Sequence, residues 1–308
     1  MKKYPCAKPF LKWAGGKTQL ISQIAEALPP MVFQQDFTYV EPFIGSGAVF
    51  FWMLGKFPNL KKAVINDINA DLINVYKIIA EKPNELVQIL KEFQHQFHEL
   101  ESDEEKKKEY YYNKREQYNT RKADRVTHAA LFIFLNRTCF NGLYRVNRKN
   151  LFNVPMGKYK RPTICDEQNI LAVNKVLQYT EILNGDFEQA LAFADENTFF
   201  YLDPPYKPLS ATSSFNSYSE FEFNDDEQIR LRDFCKEISS RNSKWMLSNS
   251  FDSNDDFFEK IYDGFYKGNV KAKRAINSKA DKRGELAELL VTNYPYNRSQ
   301  IASQLSLF

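Results

Sequence analysis

Asp203-Pro204-Pro205-Tyr206 follows directly on the apolar run Thr198-Phe199-Phe200-Tyr201-Leu202. A β-branched and aromatic run that stops at Asp-Pro-Pro reads as a buried strand ended at its carboxyl edge, because proline cannot continue the hydrogen-bond ladder. In open α/β sheets, ligands bind outside those carboxyl edges. The turn therefore offers a carboxylate, a backbone carbonyl that no strand requires and an aromatic ring in one place. Two acceptors suit the N–H groups of an exocyclic amine on a flat base, and the ring suits stacking on that base. Taken alone, the same four residues also fit an ordinary Pro-Pro turn with a capping aspartate.

The surrounding elements alternate between strand and helix. Residues 38–43 read as a strand entering Ile44-Gly45-Ser46-Gly47, with an apolar helix from Ala48 and a second strand over 62–67 that ends on Asp67. This is a β–glycine loop–α–β unit. Gly45 and Gly47 let backbone N–H groups approach a ligand at a helix start. Asp67 stands where a Rossmann acid meets ribose hydroxyls. The pair does not choose among NAD, FAD and S-adenosylmethionine, and it also fits a tight turn with a helix-capping acid. Further strands are expected over 181–186, 198–202, 244–247 and 286–294. Between them, from about Asp71 to Arg125, the chain reads as charged helices with Ile, Leu and Phe at three- and four-residue spacings. Residues 106–161 hold fifteen Lys/Arg against Glu109, Glu116 and Asp124, so an insertion of different composition splits the α/β alternation.

Composition sets the outer limits. With 308 residues, 43% of them hydrophobic, the chain can bury a large core, and its 26 Phe and 17 Tyr suit either packing or base stacking. A net charge of +3 does not by itself announce a nucleic-acid binder. Cysteines 6, 139, 165 and 235 are scattered, indicating neither a zinc site nor a disulfide framework. There is no apolar signal core and no membrane-length apolar run, so the expectation is a reduced, cytoplasmic protein. Gly16-Lys17-Thr18 resembles the end of a P-loop, but the pattern needs glycine where Leu11 stands. His95, His98 and Glu99 match no zinc-protease spacing, and Ser248 has no nearby histidine to activate it.

Taken together, these segments resemble the DNA adenine N6-methyltransferases of the Dam type, in the α arrangement of motifs. The resemblance covers nearly the whole chain. It rests on FLKWAGGK (10–17), VEPFIGSGAVF (40–50), INDIN (65–69), NRTCFNGLYRVN (136–147), FNVPMGKY (152–159), DPPYKPLSAT (203–212) and LSNS (247–250). It implies a Rossmann-like S-adenosylmethionine-dependent methyltransferase sheet. Into that sheet is inserted a mainly helical target-recognition domain (71–165) carrying a β-hairpin, with 1–70 and 166–308 forming the cofactor domain. The implied cofactor residues are Trp13, Lys17, Glu41, Gly45, Gly47, Asp67, Asp186 and Asp203, with no metal. Asp203, Pro204 and Tyr206 are the implied catalytic turn.

The chemistry this implies follows physically. The N6 lone pair of adenine is delocalised, so the amine is a poor nucleophile. Acceptors at the Asp203 carboxylate and Pro204 carbonyl favour a pyramidal nitrogen and stabilise the charge that develops in direct in-line attack. N6 is buried in a duplex, so the base must flip out, and Tyr206 offsets part of that cost by stacking. Arg145 can fork onto guanine O6 and N7, and Leu143 can pack on a thymine methyl. The matching family segment reads GATC, and its positions here are Lys12, Phe140, Asn141, Leu143, Arg145 and Pro155. Phe140 stands where some members have Tyr, keeping a wedge for the flipped-out site. The Lys-rich helix face at 106–125 is expected to meet phosphates. The implied partner is double-stranded DNA, bound by a monomer in association with the nucleoid. A cognate restriction endonuclease acting separately is compatible with this. Another DNA target, an RNA or protein amino-methyltransferase and a nicotinamide-dependent oxidoreductase are the competing readings, the last having no use for Asp-Pro-Pro-Tyr.

Overall fold

The apolar runs pair into one sheet. The computed structural model describes residues 7–13, 17–206, 223–250, 256–273 and 285–296; the expected motif positions 14–16 and 207–212 lie outside them. Strands β1 (Phe37–Glu41), β2 (Leu60–Ile65), β3 (Thr180–Ile182), β4 (Thr198–Leu202), β5 (Lys244–Ser250), β6 (Tyr266–Lys273) and β7 (Glu285–Thr292) lie in the order β3-β2-β1-β4-β5-β7-β6. The first five are parallel, and β7 inserts antiparallel between β5 and β6. This is the Rossmann-like arrangement expected. Strand order reverses between β1 and β4, which opens a crevice at their carboxyl edges, where ligands of such sheets sit. Strand β6 was not foreseen. Its sequence, Tyr-Lys-Gly-Asn-Val-Lys-Ala-Lys, has little apolar alternation and is rich in lysine, a composition that protects the sheet edge it occupies.

Side-chain alternation divides the core between the two faces of the sheet. Tyr39, Phe199 and Tyr201 face one cluster, and Val40, Phe200 and Leu202 face the other. Helices α1 (Ile21–Ala25), α2 (Met31–Gln34) and α3 (Ala48–Lys56) precede the insertion, which runs through α4 (Ala70–Glu81), α5 (Pro83–Glu99), α6 (Glu104–Thr120) and α7 (Arg125–Thr138). After it come α8 (Glu167–Leu177), α9 (Asp225–Ser240) and α10 (Phe257–Ile261). Asn69, Asp103, Asp124, Asp166 and Asn224 cap α4, α6, α7, α8 and α9 by accepting first-turn N–H bonds. Proline opens α5, where a missing N–H costs nothing. Helix α7 is buried nearly all round and forms the axis on which α4, α5 and α6 pack. Its apolar residues share one continuous cluster with a face of the sheet.

The expected hairpin is present, but it is held by two isolated bridges, Cys139↔Met156 and Val146↔Phe152. Asn147 N–H donates to the Leu151 carbonyl at 2.9 Å to close its turn. A regular ladder is interrupted because Asn141 and Gly142 take left-handed φ of 55° and 65°, and Pro155 has no N–H to give. A Cβ on Gly142 would come within 2.5 Å of Lys12 Cβ, so only glycine permits that approach.

Candidate active site

The glycine loop leaves β1 and turns into α3. Gly45 has φ 46°, and an added Cβ would lie 3.1 Å from the Trp13 indole, so ring and loop are in direct contact. Its N–H donates to Asp67 Oδ2 at 3.1 Å, and its carbonyl accepts from the Tyr76 hydroxyl at 3.1 Å. Gly47 caps α3 at φ 71°. Asp67 Oδ1 accepts from Asn69 N–H at 2.9 Å. Burial lifts its carboxyl to about 6 against the opposing pull of the Asn69, Gly45 and Ile68 amides. Glu41 is buried below the loop, taking the Tyr39 hydroxyl at 2.6 Å, and desolvation holds its carboxyl well above the ordinary range. Asp186 comes near through Gly185, whose N–H donates to the Asp67 carbonyl at 3.1 Å. Its own carboxylate caps a 3-10 turn and takes Arg230 Nη2 at 2.5 Å. Ile68, beside Asp67, is 44% exposed at the rim. An acid at the end of β2, an apolar rim residue for a flat base, and carboxylates toward β1 and β4 form a set that fits a nucleoside cofactor with a cationic sulfur.

The second half of the site lies at the end of β4. Asp203 accepts from Ser248 Oγ at 3.1 Å, and Ser248 in turn lies 3.1 Å from the Tyr201 hydroxyl. Lys17 is 4% exposed, and its Nζ lies 3.2 Å from both Asp203 Oδ1 and Glu288 Oε2. The same ammonium contacts the Tyr206 hydroxyl and sits 4.3 Å from the centroid of that ring. Tyr206 donates to Glu288 Oε2 at 2.7 Å. Burial, reinforced by Glu288, raises the Asp203 carboxyl, while Lys17 pulls it down most strongly. Gln228 Nε2 donates to the Pro205 carbonyl at 3.2 Å, itself oriented by Asn249 at 3.0 Å. Among the described residues, no hydrogen bond reaches the Pro204 carbonyl. Asp203, Pro204, Tyr206 and Lys17 thus gather at one edge, and here Lys17 is a partner of Asp203 and Tyr206.

The six recognition positions meet around the hairpin. Asn136 joins them: Oδ1 takes Lys12 N–H at 2.9 Å, and Nδ2 donates to the Lys12 and Gly142 carbonyls at 2.7 and 3.0 Å. Phe140 is 50% exposed, with its N–H on the Pro155 carbonyl at 2.9 Å. Asn141 and Pro155 are exposed, and Leu143 is half-buried. Arg145 Nε donates to Asn153 Oδ1 at 2.7 Å, a bond that does not use its Nη edge. Lys12 Nζ rests 4.2 Å from the Tyr159 ring centroid. Of the lysine-rich face expected over 106–125, Lys106, Lys108 and Lys122 are exposed, whereas the other basic residues described next have partners within the protein. Lys107 is buried on the Tyr159 and Lys160 carbonyls at 3.0 and 2.8 Å. Lys114 lies over Phe93, Arg115 over Tyr112, and Arg121 on Asp71.

Sequence reading missed Glu288, Ser248, Gln228 and Asn136. Asn136 and Ser248 stand in segments that carry the resemblance but were given no role there, Glu288 is a lone acid inside an apolar strand run, and Gln228 left no signal. With this geometry in place, comparison with known proteins adds the family. The chain is 51% identical over 291 residues to the Type II methyltransferase M.MjaIII of Methanocaldococcus jannaschii, covering 93% of this chain and 99% of that protein. It is 39% identical over 289 residues to the Type II methyltransferase M1.LlaDCHI of Lactococcus lactis subsp. cremoris, covering 93% and 95%. It is 34% identical over 283 residues to a DNA adenine methylase of Haemophilus influenzae, covering 92% of each. The family described as D12 class N6 adenine-specific DNA methyltransferase matches residues 13–276, from the indole on the glycine loop through the Asp203 turn to the edge of the sheet. The chain belongs to that family.

Proposed function

We propose that this enzyme methylates adenine N6 at GATC in duplex DNA, with the target base turned out of the helix and attacked in line. Its substrate is DNA, and its methyl donor is S-adenosylmethionine. When bound, that donor supplies an electrophilic sulfonium methyl. Trp13, Gly45, Gly47 and Asp67 would hold it, with Glu41 beneath the loop and Asp186 beside it. Asp203 and the Pro204 carbonyl accept the two N6 hydrogens, which fixes the nitrogen lone pair on the attack line and offsets its growing positive charge. The observation that carries this reading is the pairing of a partly exposed Asp203 carboxylate with a Pro204 carbonyl that no described group occupies.

For readout, the insertion 71–165 is the target-recognition unit. Arg145 forks onto a guanine, Leu143 meets a thymine methyl, and Lys12, Asn141 and Pro155 line the same surface. Phe140, half exposed at the hairpin base, is the wedge that fills the space left by the flipped base. Each chain carries one such unit, which supports action as a monomer on DNA in the nucleoid; a separately acting restriction endonuclease would cut the same sequence. Plasmid DNA from cells expressing the protein should resist a nuclease that GATC methylation blocks. Full digestion, with methyl transfer retained on another sequence, would refute the target assignment and leave the chemistry standing.

A further inference from the structure

The Asp71 carboxylate, in the first turn of α4, is where four elements meet. Arg121, just past α6, donates from Nη1 to both oxygens at 2.7 and 2.8 Å. The Tyr118 hydroxyl of α6 donates to Oδ2 at 2.7 Å, and His128 Nε2 of α7 lies 3.0 Å from Oδ1. The Tyr144 hydroxyl, on the hairpin one residue before Arg145, lies 3.5 Å from Oδ2. Arg121 also reaches the far end of that arm, where Nη2 donates to the Asn150 carbonyl at 3.1 Å. Both ends of the arm that carries Arg145 are therefore tied to the Asp71 carboxylate, one through Tyr144 and the other through Arg121. The opposite arm is held separately by Asn119 on Phe152 at 3.1 and 2.8 Å.

The same carboxylate is linked to the cofactor side. Asp71 lies four residues beyond Asp67, and the intervening Asn69 gives its N–H to Asp67 and caps α4 with its side chain. Tyr144 stacks on Trp13, with centroids 5.5 Å apart and planes at 18°, and Trp13 touches the Gly45 backbone. A ligand that fixes the Gly45–Asp67 contact thus fixes both surfaces against which the Arg145 arm rests.

We propose that Asp71 is a positioning residue that sets the 144–150 arm against the cofactor strand, so that cofactor binding and base readout are coupled through it. This rests on the reading of Arg145 as a base-reading residue. Coupling of this kind is reciprocal, so the cofactor product must tighten DNA binding as much as DNA tightens the product.

The test uses the full chain with Asp71→Asn, Tyr144→Phe and Arg145→Ala. Two quantities are measured: affinity for a GATC duplex with and without S-adenosylhomocysteine, and relative methylation rates on duplexes altered at each single base. The native protein should bind the duplex at least about 5-fold tighter with S-adenosylhomocysteine. Asp71→Asn should cut that factor below about 2 and lower discrimination about tenfold at the base that Arg145→Ala stops reading. Tyr144→Phe should move both quantities the same way, by less. A native protein without the effect, or an Asp71→Asn variant that keeps both quantities, overturns the proposal. So does one that slows all duplexes in proportion, as a merely structural residue would. Should Asp71→Asn fail to fold, an unchanged coupling in Tyr144→Phe overturns it. If Arg145→Ala leaves every ratio intact while Asp71→Asn abolishes the coupling and lowers discrimination, the Arg145 assignment fails and the joint stands.

Discussion

Lys17→Met separates two roles for a lysine that the family resemblance places at the cofactor and the structure places on Asp203. Its ammonium sits 3.2 Å from each of two carboxylates in a nearly closed site. At an effective dielectric of about 20, each pair attracts by about 5 kcal/mol before desolvation of the lysine is subtracted. If about 1.4–2.7 kcal/mol of that survives at Asp203, its loss raises the carboxyl by about one to two pH units. Burial and Glu288 already hold this carboxyl above its ordinary value. Asp203 must be ionised to take the charge developing on N6, so the sign is fixed: ionisation, and with it activity, appears only as pH rises through the raised pKa. The acid limb of the kcat profile should move upward by about one to two units, with a roughly 10–100-fold loss below the limb that recovers above it. Adding Glu288→Gln removes the like charge and should bring the limb part of the way back. Single-turnover transfer of a labelled methyl to a GATC duplex, followed across pH, measures this. An unmoved limb with a raised KM for S-adenosylmethionine would refute the electrostatic account and make Lys17 a cofactor ligand.

Tyr206→Phe loses the bond to Glu288 but keeps the ring, so methyl transfer should fall only about 2–10-fold, whereas Tyr206→Ala should fall more than about 100-fold because no ring remains to stack; equal losses would deny the ring its role. Arg145→Ala should cost about 1–3 kcal/mol of discrimination at one guanine and leave the other positions selected, as read from rates on single-base-variant duplexes. The Asp71 carboxyl is held at about 2 against an ordinary 3.8, burial being outweighed by bonds from His128, Arg121 and Tyr118. It therefore contributes about 2 kcal/mol of stability, complete above its unfolded pKa and lost as pH falls toward 2. Denaturant melts of Asp71→Asn against the native chain should differ most near neutrality and converge in acid.

Strands β1 and β4 were legible as largely apolar runs punctuated by Gly, Asp or Pro, the pattern of a strand covered on both faces, and β2 by the buried Ala63-Val64-Ile65 that leads to Asp67. Glu288 was not legible as a site residue, because it meets Tyr206 across 82 positions of chain, through the antiparallel insertion of β7. Which charge of α6 is structural was not legible for a different reason. Lys107, Tyr111 and Tyr118 recur at spacings of four and seven, which is one helix face, and all three are buried. A lysine on that face extends its stem along apolar surface and needs acceptors at its tip, which the 159–160 backbone provides. Lys107→Met should therefore strand two carbonyls and cost about 1–3 kcal/mol of stability, without changing the salt dependence of DNA binding. Arg148→Ala, at the exposed hairpin turn, should do the reverse: stability should stay within about 0.5 kcal/mol, while the slope of log K against log salt should fall by about 0.9, the value of one phosphate left unneutralised. Melting curves and salt titrations on the two variants decide the matter. A flattened slope with unchanged melting in Lys107→Met would refute the buried role of Lys107, because only a side chain that reaches solvent can release a counterion.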